Sequence, residues 1–244
     1  MNINKNAKLV LRDVYLYDIE ACHYTILTKL GIDMPGIDKN NKLQRNTQIG
    51  KMMKKNPKLT SMLRSTTRSI IDEYILRNKI TEDDIILRQY DGIIITKTLN
   101  ETSFLNHVPL HVRKHYQIFI SSIDRKKYIS FDSKHQISIK GVPYRYPEID
   151  KIFEQICRIN FANKDSIFRN LQKIKDKFIA SKNARLFGIP LKNGKVSIFL
   201  KGYGEIVISS QTLKIIDTDD IDKQRYFKHY IEPFTKSIVI EFVR

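Results

Sequence analysis

Two aspartates, Asp18 and Asp91, stand where carboxylates could do chemistry together. Residues 8–17 read K-L-V-L-R-D-V-Y-L-Y, which predicts a buried strand bent near Asp13, and Asp18 follows directly. Residues 85–96 read I-I-L-R-Q-Y-D-G-I-I-I-T, and Asp-Gly between two β-branched runs is a strong short-range hairpin signal. If these strands are neighbours in one antiparallel sheet, the two carboxylates meet at one edge. Carboxylates so placed repel each other and commonly share divalent cations. Two Mg²⁺ ions about 3.5–4 Å apart clamp the attacking and leaving oxygens of a phosphoryl transfer. Mg²⁺ needs only one or two protein carboxylates, because water and substrate phosphates complete its shell. The competing explanations are structural: Asp18 as the N-cap of a following helix and Asp91 as a turn residue.

The elements that must position these residues follow from periodicity. Residues 20–30 have helical spacing through Tyr24, Leu27 and Leu30, with Gly31 as a C-cap. Residues 42–55 predict a very basic helix carrying Lys42, Arg45, Lys51, Lys54 and Lys55, interrupted at Asn56-Pro57. Residues 59–77 predict an amphipathic helix through Leu59, Leu63, Ile70, Ile71, Tyr74 and Ile75. Strands are expected at 116–122 and 127–131, with basic Arg125-Lys126-Lys127 between them, and a third at 136–142. Pro143 and Pro147 mark a boundary. Two helical pieces are expected over 148–181, a small hairpin over 195–208, and a last helical stretch over 222–239, bent at Pro233. The fold class implied is α+β.

The chain has 244 residues, enough to bury a substantial core, with 43 Lys+Arg against 26 Asp+Glu and a formal net charge of +17. A charge of that size, spread along the whole chain, points to a polyanionic partner, most simply nucleic acid. The two cysteines, Cys22 and Cys157, form neither a metal-ligand spacing nor a disulfide framework, which fits a reducing compartment. No apolar run approaches the ~20 residues of a membrane span, and the N-terminus lacks the apolar core of a signal peptide. A cytoplasmic protein with no membrane partner is expected.

At the aspartates the chain resembles the family B DNA polymerases. That family's motif A is D-x-x-S-L-Y-P-S-I, and residues 18–26 read D-I-E-A-C-H-Y-T-I. Motif B is K-x-x-x-N-S-x-Y-G, and residues 42–50 read K-L-Q-R-N-T-Q-I-G. Motif C is Y-x-D-T-D-S-I, and residues 87–93, L-R-Q-Y-D-G-I, keep only its second aspartate, with Gln89 in place of the first. The family's K-K-x-Y primer grip resembles Arg125-Lys126-Lys127-Tyr128, and Lys140-Gly141 falls where members often have Lys-Gly. Ile221-Asp222 through Tyr226, Ile231 and Pro233 resembles the end of the thumb. The order and rough spacing of these segments carry more weight than any one match.

The resemblance implies an antiparallel-sheet polymerase palm (1–32 and 81–145), reduced helical fingers (33–80) and an α/β thumb (146–244). It implies a template-directed DNA polymerase, a nucleotidyltransferase using two Mg²⁺ ions, with Mn²⁺ as a substitute. Its substrates are a DNA primer-template and dNTPs. Asp18 and Asp91 become the metal ligands. Lys42, Arg45 and Asn46 face the incoming nucleotide. His23 stands where the family has the Tyr beneath the sugar. Arg125, Lys126, Tyr128 and Lys140 hold the primer. The match covers nearly the whole chain but only the C-terminal part of a usual member, without the exonuclease domain. That implies a minimal enzyme or one subunit of a split, phage-type polymerase, with a second polypeptide carrying the rest.

Two alternatives stay open. Asp18-Ile19-Glu20 also fits the opening D-x-E of a DnaQ-like 3′–5′ exonuclease, with Tyr128 to Asp132 or Tyr146 to Asp150 as its late Y-x-x-x-D. The second is an inactive, palm-like DNA-binding subunit of a replication complex, kept open by Gln89 in place of the first motif C aspartate.

Overall fold

The computed structural model of the protein describes residues 3–103, 108–142 and 147–243. Pro143, Tyr146 and the 145/146 boundary lie outside the described residues. The chain divides into two compact units. One is built mainly from Asp13–His115, the other from Lys8–Arg12 and Tyr116–Arg244.

In the first unit, β1 (Val10–Ile19) leads into the helices α1 (Cys22–Lys29), α2 (Lys42–Lys55) and α3 (Pro57–Arg77). The strands β2 (Ile85–Arg88), β3 (Gly92–Ile95) and β4 (Leu110–Ser121) follow, in the sheet order β2-β3-β1-β4. Asp13 bends β1 with φ 52°, at the position expected from its sequence. The helix boundaries have local causes. Asn41 accepts a hydrogen bond from the Gln44 amide and starts α2. Asn56 ends α2, and its side chain accepts from the Leu59 amide to start α3, with Pro57 in the first turn, where its missing N–H costs nothing. The N-cap of α1 is Ala21, in a left-handed conformation without a side-chain cap. Asp18 therefore does not cap α1, which removes its structural alternative.

The hairpin of β2 and β3 forms as expected, closed by a hydrogen bond from the Gln89 amide to the Gly92 carbonyl at 2.9 Å. Tyr17 and Ile19 on β1 and Ile93 and Ile95 on β3 pack with Ile26 and Leu27 of α1 and Leu63, Ile70, Ile71 and Tyr74 of α3. Each fully buried aliphatic side chain contributes roughly 1.5–3 kcal/mol. Asp18 lies between two of these anchors, and Asp91 directly precedes β3.

The second unit contains β5 (Tyr128–Asp132), β6 (Ile137–Lys140), α4 (Pro147–Cys157) and α5 (Lys164–Ala180). Its part of the larger sheet runs β1-β4-β5-β6. A second sheet of β7 (Ile189–Pro190), β8 (Lys195–Leu200) and β9 (Gly204–Ser209) precedes α6 (Ser210–Leu213), α7 (Lys223–Tyr230) and α8 (Glu232–Phe242). The last helical stretch is thus two helices. They part at Ile231, because Pro233 fits the first turn of a new helix but not the interior of a continuous one. Phe153, Phe178, Phe187 and Phe234 are fully buried in this unit's core. The fold is a mixed helix and antiparallel-sheet, α+β architecture. No helix among the described residues is long and apolar enough to cross a membrane.

Candidate functional site

The β1–β3 ladder brings the two aspartates together. Asp18 is paired with Gly92, and the Ile19 amide donates to the Asp91 carbonyl at 2.9 Å. Gly92 is needed for a steric reason. A Cβ there would stand 2.3 Å from the Tyr17 carbonyl oxygen, so only glycine lets β3 lie this close to β1.

Asp18 is the more enclosed carboxylate, its side chain only 12% exposed. One oxygen is paired with the Arg113 guanidinium from β4, while Oδ1 is buried with no hydrogen-bond partner among the described residues. Burial holds the Asp18 carboxyl above the usual carboxylate range. The Asp91 charge pushes it the same way, and Arg113 opposes both. A folded state that binds this proton more tightly than the unfolded chain loses stability as pH rises from the ordinary carboxylate range through the raised value. Asp18→Asn is therefore expected to be more stable than the wild type near pH 7, and to lose that advantage in acid. Thermal melts at both pH values check this.

A cleft of about 830 Å³ opens on these groups. Lys42, Arg45 and Asn46 line it from the first turns of α2, and His23 lines it from α1. Lys42 and Asn46 are exposed and Arg45 is half-buried. Arg45 donates to the Lys39 carbonyl and, at 3.4 Å, to Asn46 Oδ1. His23 Nε2 lies 3.1 Å from the Tyr90 hydroxyl, with the rings edge to face at 5.3 Å. Burial lowers the His23 pKa, against the opposing pull of the Asp91 charge. Cys22 also borders the cleft, but burial pushes its thiol up to about 11, which disfavours the thiolate.

All six expected residues of the first unit thus share one cleft. The sequence reading did not find Arg113 or its neighbour His111, which also lines the cleft. The available signal was the alternation of His111, Arg113 and His115 ahead of Tyr116, three polar residues on one face of a strand.

The four remaining candidates lie in the second unit. Tyr128 pairs with Lys140 across β5 and β6. Gly141 brings its backbone so near that a Cβ would sit 2.6 Å from the Lys126 carbonyl oxygen, and its φ is 78°. Lys126 and Lys140 are exposed. Arg125 is half-buried and donates to the Lys8 carbonyl and to Ser121 Oγ. Tyr128 requires a correction. It is 1% exposed and stacks on Phe119 at 4.6 Å, so it is a core residue of the sheet and not a surface contact.

The donors at Asp18 and Asp91 are hard oxygens, and one of them is unpartnered. Among the described residues no group of three or more His, Cys, Asp or Glu side chains could hold a metal ion. Two carboxylates are a donor set that could serve only a cation completing its shell from water or substrate, a chemistry open to Mg²⁺.

A family model described as "Bacteriophage PBS1 gene 130 protein" matches residues 3–223. The chain belongs to that family. The fold of this gene 130 family chain is similar to a solved structure, the family B DNA polymerase from the hyperthermophilic archaeon Pyrobaculum calidifontis. The TM-score is 0.58 at 10% sequence identity, over 97% of this chain and 46% of that one. The chain thus spans about half the length of that polymerase. No curated protein matches the chain.

Proposed function

We propose that the protein is a template-directed DNA polymerase, or the polymerising subunit of a split one, and that its first unit contains the palm. The observation that carries this reading is the pairing of Asp18 with Gly92. It sets two carboxylates side by side in a cleft lined by Lys42, Arg45 and Asn46. The likeness of fold to an archaeal family B DNA polymerase supports it.

Asp18 and Asp91 would hold Mg²⁺ or Mn²⁺, which supplies charge neutralisation at the reacting phosphate. Lys42 binds the triphosphate and protonates the departing pyrophosphate. Arg45, pinned to the Lys39 carbonyl, keeps Asn46 beside the nucleotide. The primer 3′-oxygen forms a bond to the α-phosphorus as its hydroxyl proton passes to solvent water, and the bond from that phosphorus to the oxygen bridging it to the β-phosphate breaks, releasing pyrophosphate. His23, fixed by Tyr90, forms the cleft wall beneath the sugar. Lys126 and Lys140 offer exposed charge for primer phosphates. DNA primer-template and dNTPs are the substrates, and a second polypeptide carrying exonuclease functions is the natural protein partner.

Primer extension with labelled DNA, all four dNTPs and Mg²⁺ tests the reading, using the chain alone and with its co-purifying proteins. Extension is expected, and shortening of the primer without extension would overturn the proposal in favour of an exonuclease. Lys42→Ala is expected to raise the KM for dNTP about tenfold, the loss of one charge-assisted phosphate contact. Steady-state extension kinetics over a dNTP series measure it.

A further inference from the structure

We propose that Arg113 is the resident counter-ion of Asp18, which a divalent cation must displace and which then turns to the anionic substrate. The inference rests on the polymerase reading of the same cleft but concerns a residue outside the matched motifs. Three observations carry it. The Arg113 guanidinium contacts Asp18 from β4, the strand next to β1 in the sheet order. Asp18 has little exposure, and its other oxygen is buried with no hydrogen-bond partner among the described residues, so the oxygen an arriving cation can reach is the one Arg113 holds. Arg113 itself is 57% exposed and lines the cleft, so its head can swing away without disturbing the core.

An arginine here has two consequences. Without a cation, it offsets part of the repulsion between Asp18 and Asp91 and keeps Asp18 Oδ2 oriented. When a cation arrives, guanidinium and metal compete for one carboxylate, so cation affinity of the free protein is held down. A triphosphate entering the cleft then gives the released guanidinium a new partner, for which its planar fork is well suited. Arg113 is a positioning residue in this scheme, and it couples cation binding to nucleotide binding.

Mn²⁺ titration of the nucleotide-free protein tests it, with free Mn²⁺ followed by electron paramagnetic resonance at fixed ionic strength. Arg113→Ala and Arg113→Gln are expected to bind Mn²⁺ about three- to tenfold more tightly than the wild type, the fold-change for losing one partly exposed competing ion pair. Arg113→Lys, which keeps the charge, should stay within about twofold of the wild type. Addition of a dNTP should tighten Mn²⁺ binding in the wild type more than in Arg113→Ala. Melting curves confirm that each variant is folded. If Mn²⁺ binding depends on Asp18 and Asp91 but neutral substitution of Arg113 leaves it unchanged or weaker, this inference is overturned and the metal site stands. If no binding depends on the aspartates in any variant, the inference and the metal-dependent reading both fall.

Discussion

Asp91→Asn is expected to lower nucleotide addition on the order of a thousandfold while leaving the fold and the affinity for primer-template DNA unchanged. The size follows from removing one of the two carboxylates that the proposed polymerase mechanism sets at the reacting phosphate, a loss of about 4 kcal/mol of transition-state stabilisation. The selectivity follows from position. Asp91 precedes β3 at a hairpin turn, and its backbone carbonyl, which the substitution retains, accepts the Ile19 amide. Exposed lysines such as Lys126 and Lys140, which would meet DNA phosphates, are untouched. Single-turnover extension and fluorescence anisotropy with labelled DNA separate the two effects. Equal rates in mutant and wild type would remove Asp91 from the chemistry and favour a palm-like subunit that only binds DNA.

Gly92→Ala should fail differently, by unfolding. A methyl group placed 2.3 Å from the Tyr17 carbonyl oxygen meets backbone, which cannot swing aside as a side chain can. Either β3 moves away from β1 or the local ladder breaks, at a cost of about 3 kcal/mol. Activity and stability are then lost together, in contrast to Asp91→Asn, where stability is retained. Urea titration of both variants beside the wild type makes the comparison, and a wild-type midpoint for Gly92→Ala would contradict the close approach of the strands.

The parts of the fold legible in the sequence are those with local causes. Asn56-Pro57 marks the break between α2 and α3 because an asparagine cap and a first-turn proline act within a few residues. Asp91-Gly92 signalled its hairpin, although the glycine serves close packing against Tyr17 and not a left-handed turn. The cleft residues Lys42, Arg45 and Asn46 were legible as a basic helix start. What escaped depends on distant partners. The first half of β4 reads as polar, because His115 meets Asp13 and Arg113 meets Asp18 across about a hundred positions of chain. Tyr128 shows the opposite failure. Its motif conveyed residue type, but the alternation of a strand decides which way it faces, and it turns inward onto Phe119.

The ladder between β1 and β3 has a kinetic consequence. It joins segments separated by α1, α2, α3 and β2, so its closure waits on ordering the chain between them. Neither aspartate has the other for company until then. On the proposal that Asp18 and Asp91 hold a divalent cation, a cation added during refolding would find only single carboxylates before closure and a paired site afterwards. Its capture would then be a late event in the folding of this unit, and the time course would report when β3 docks on β1.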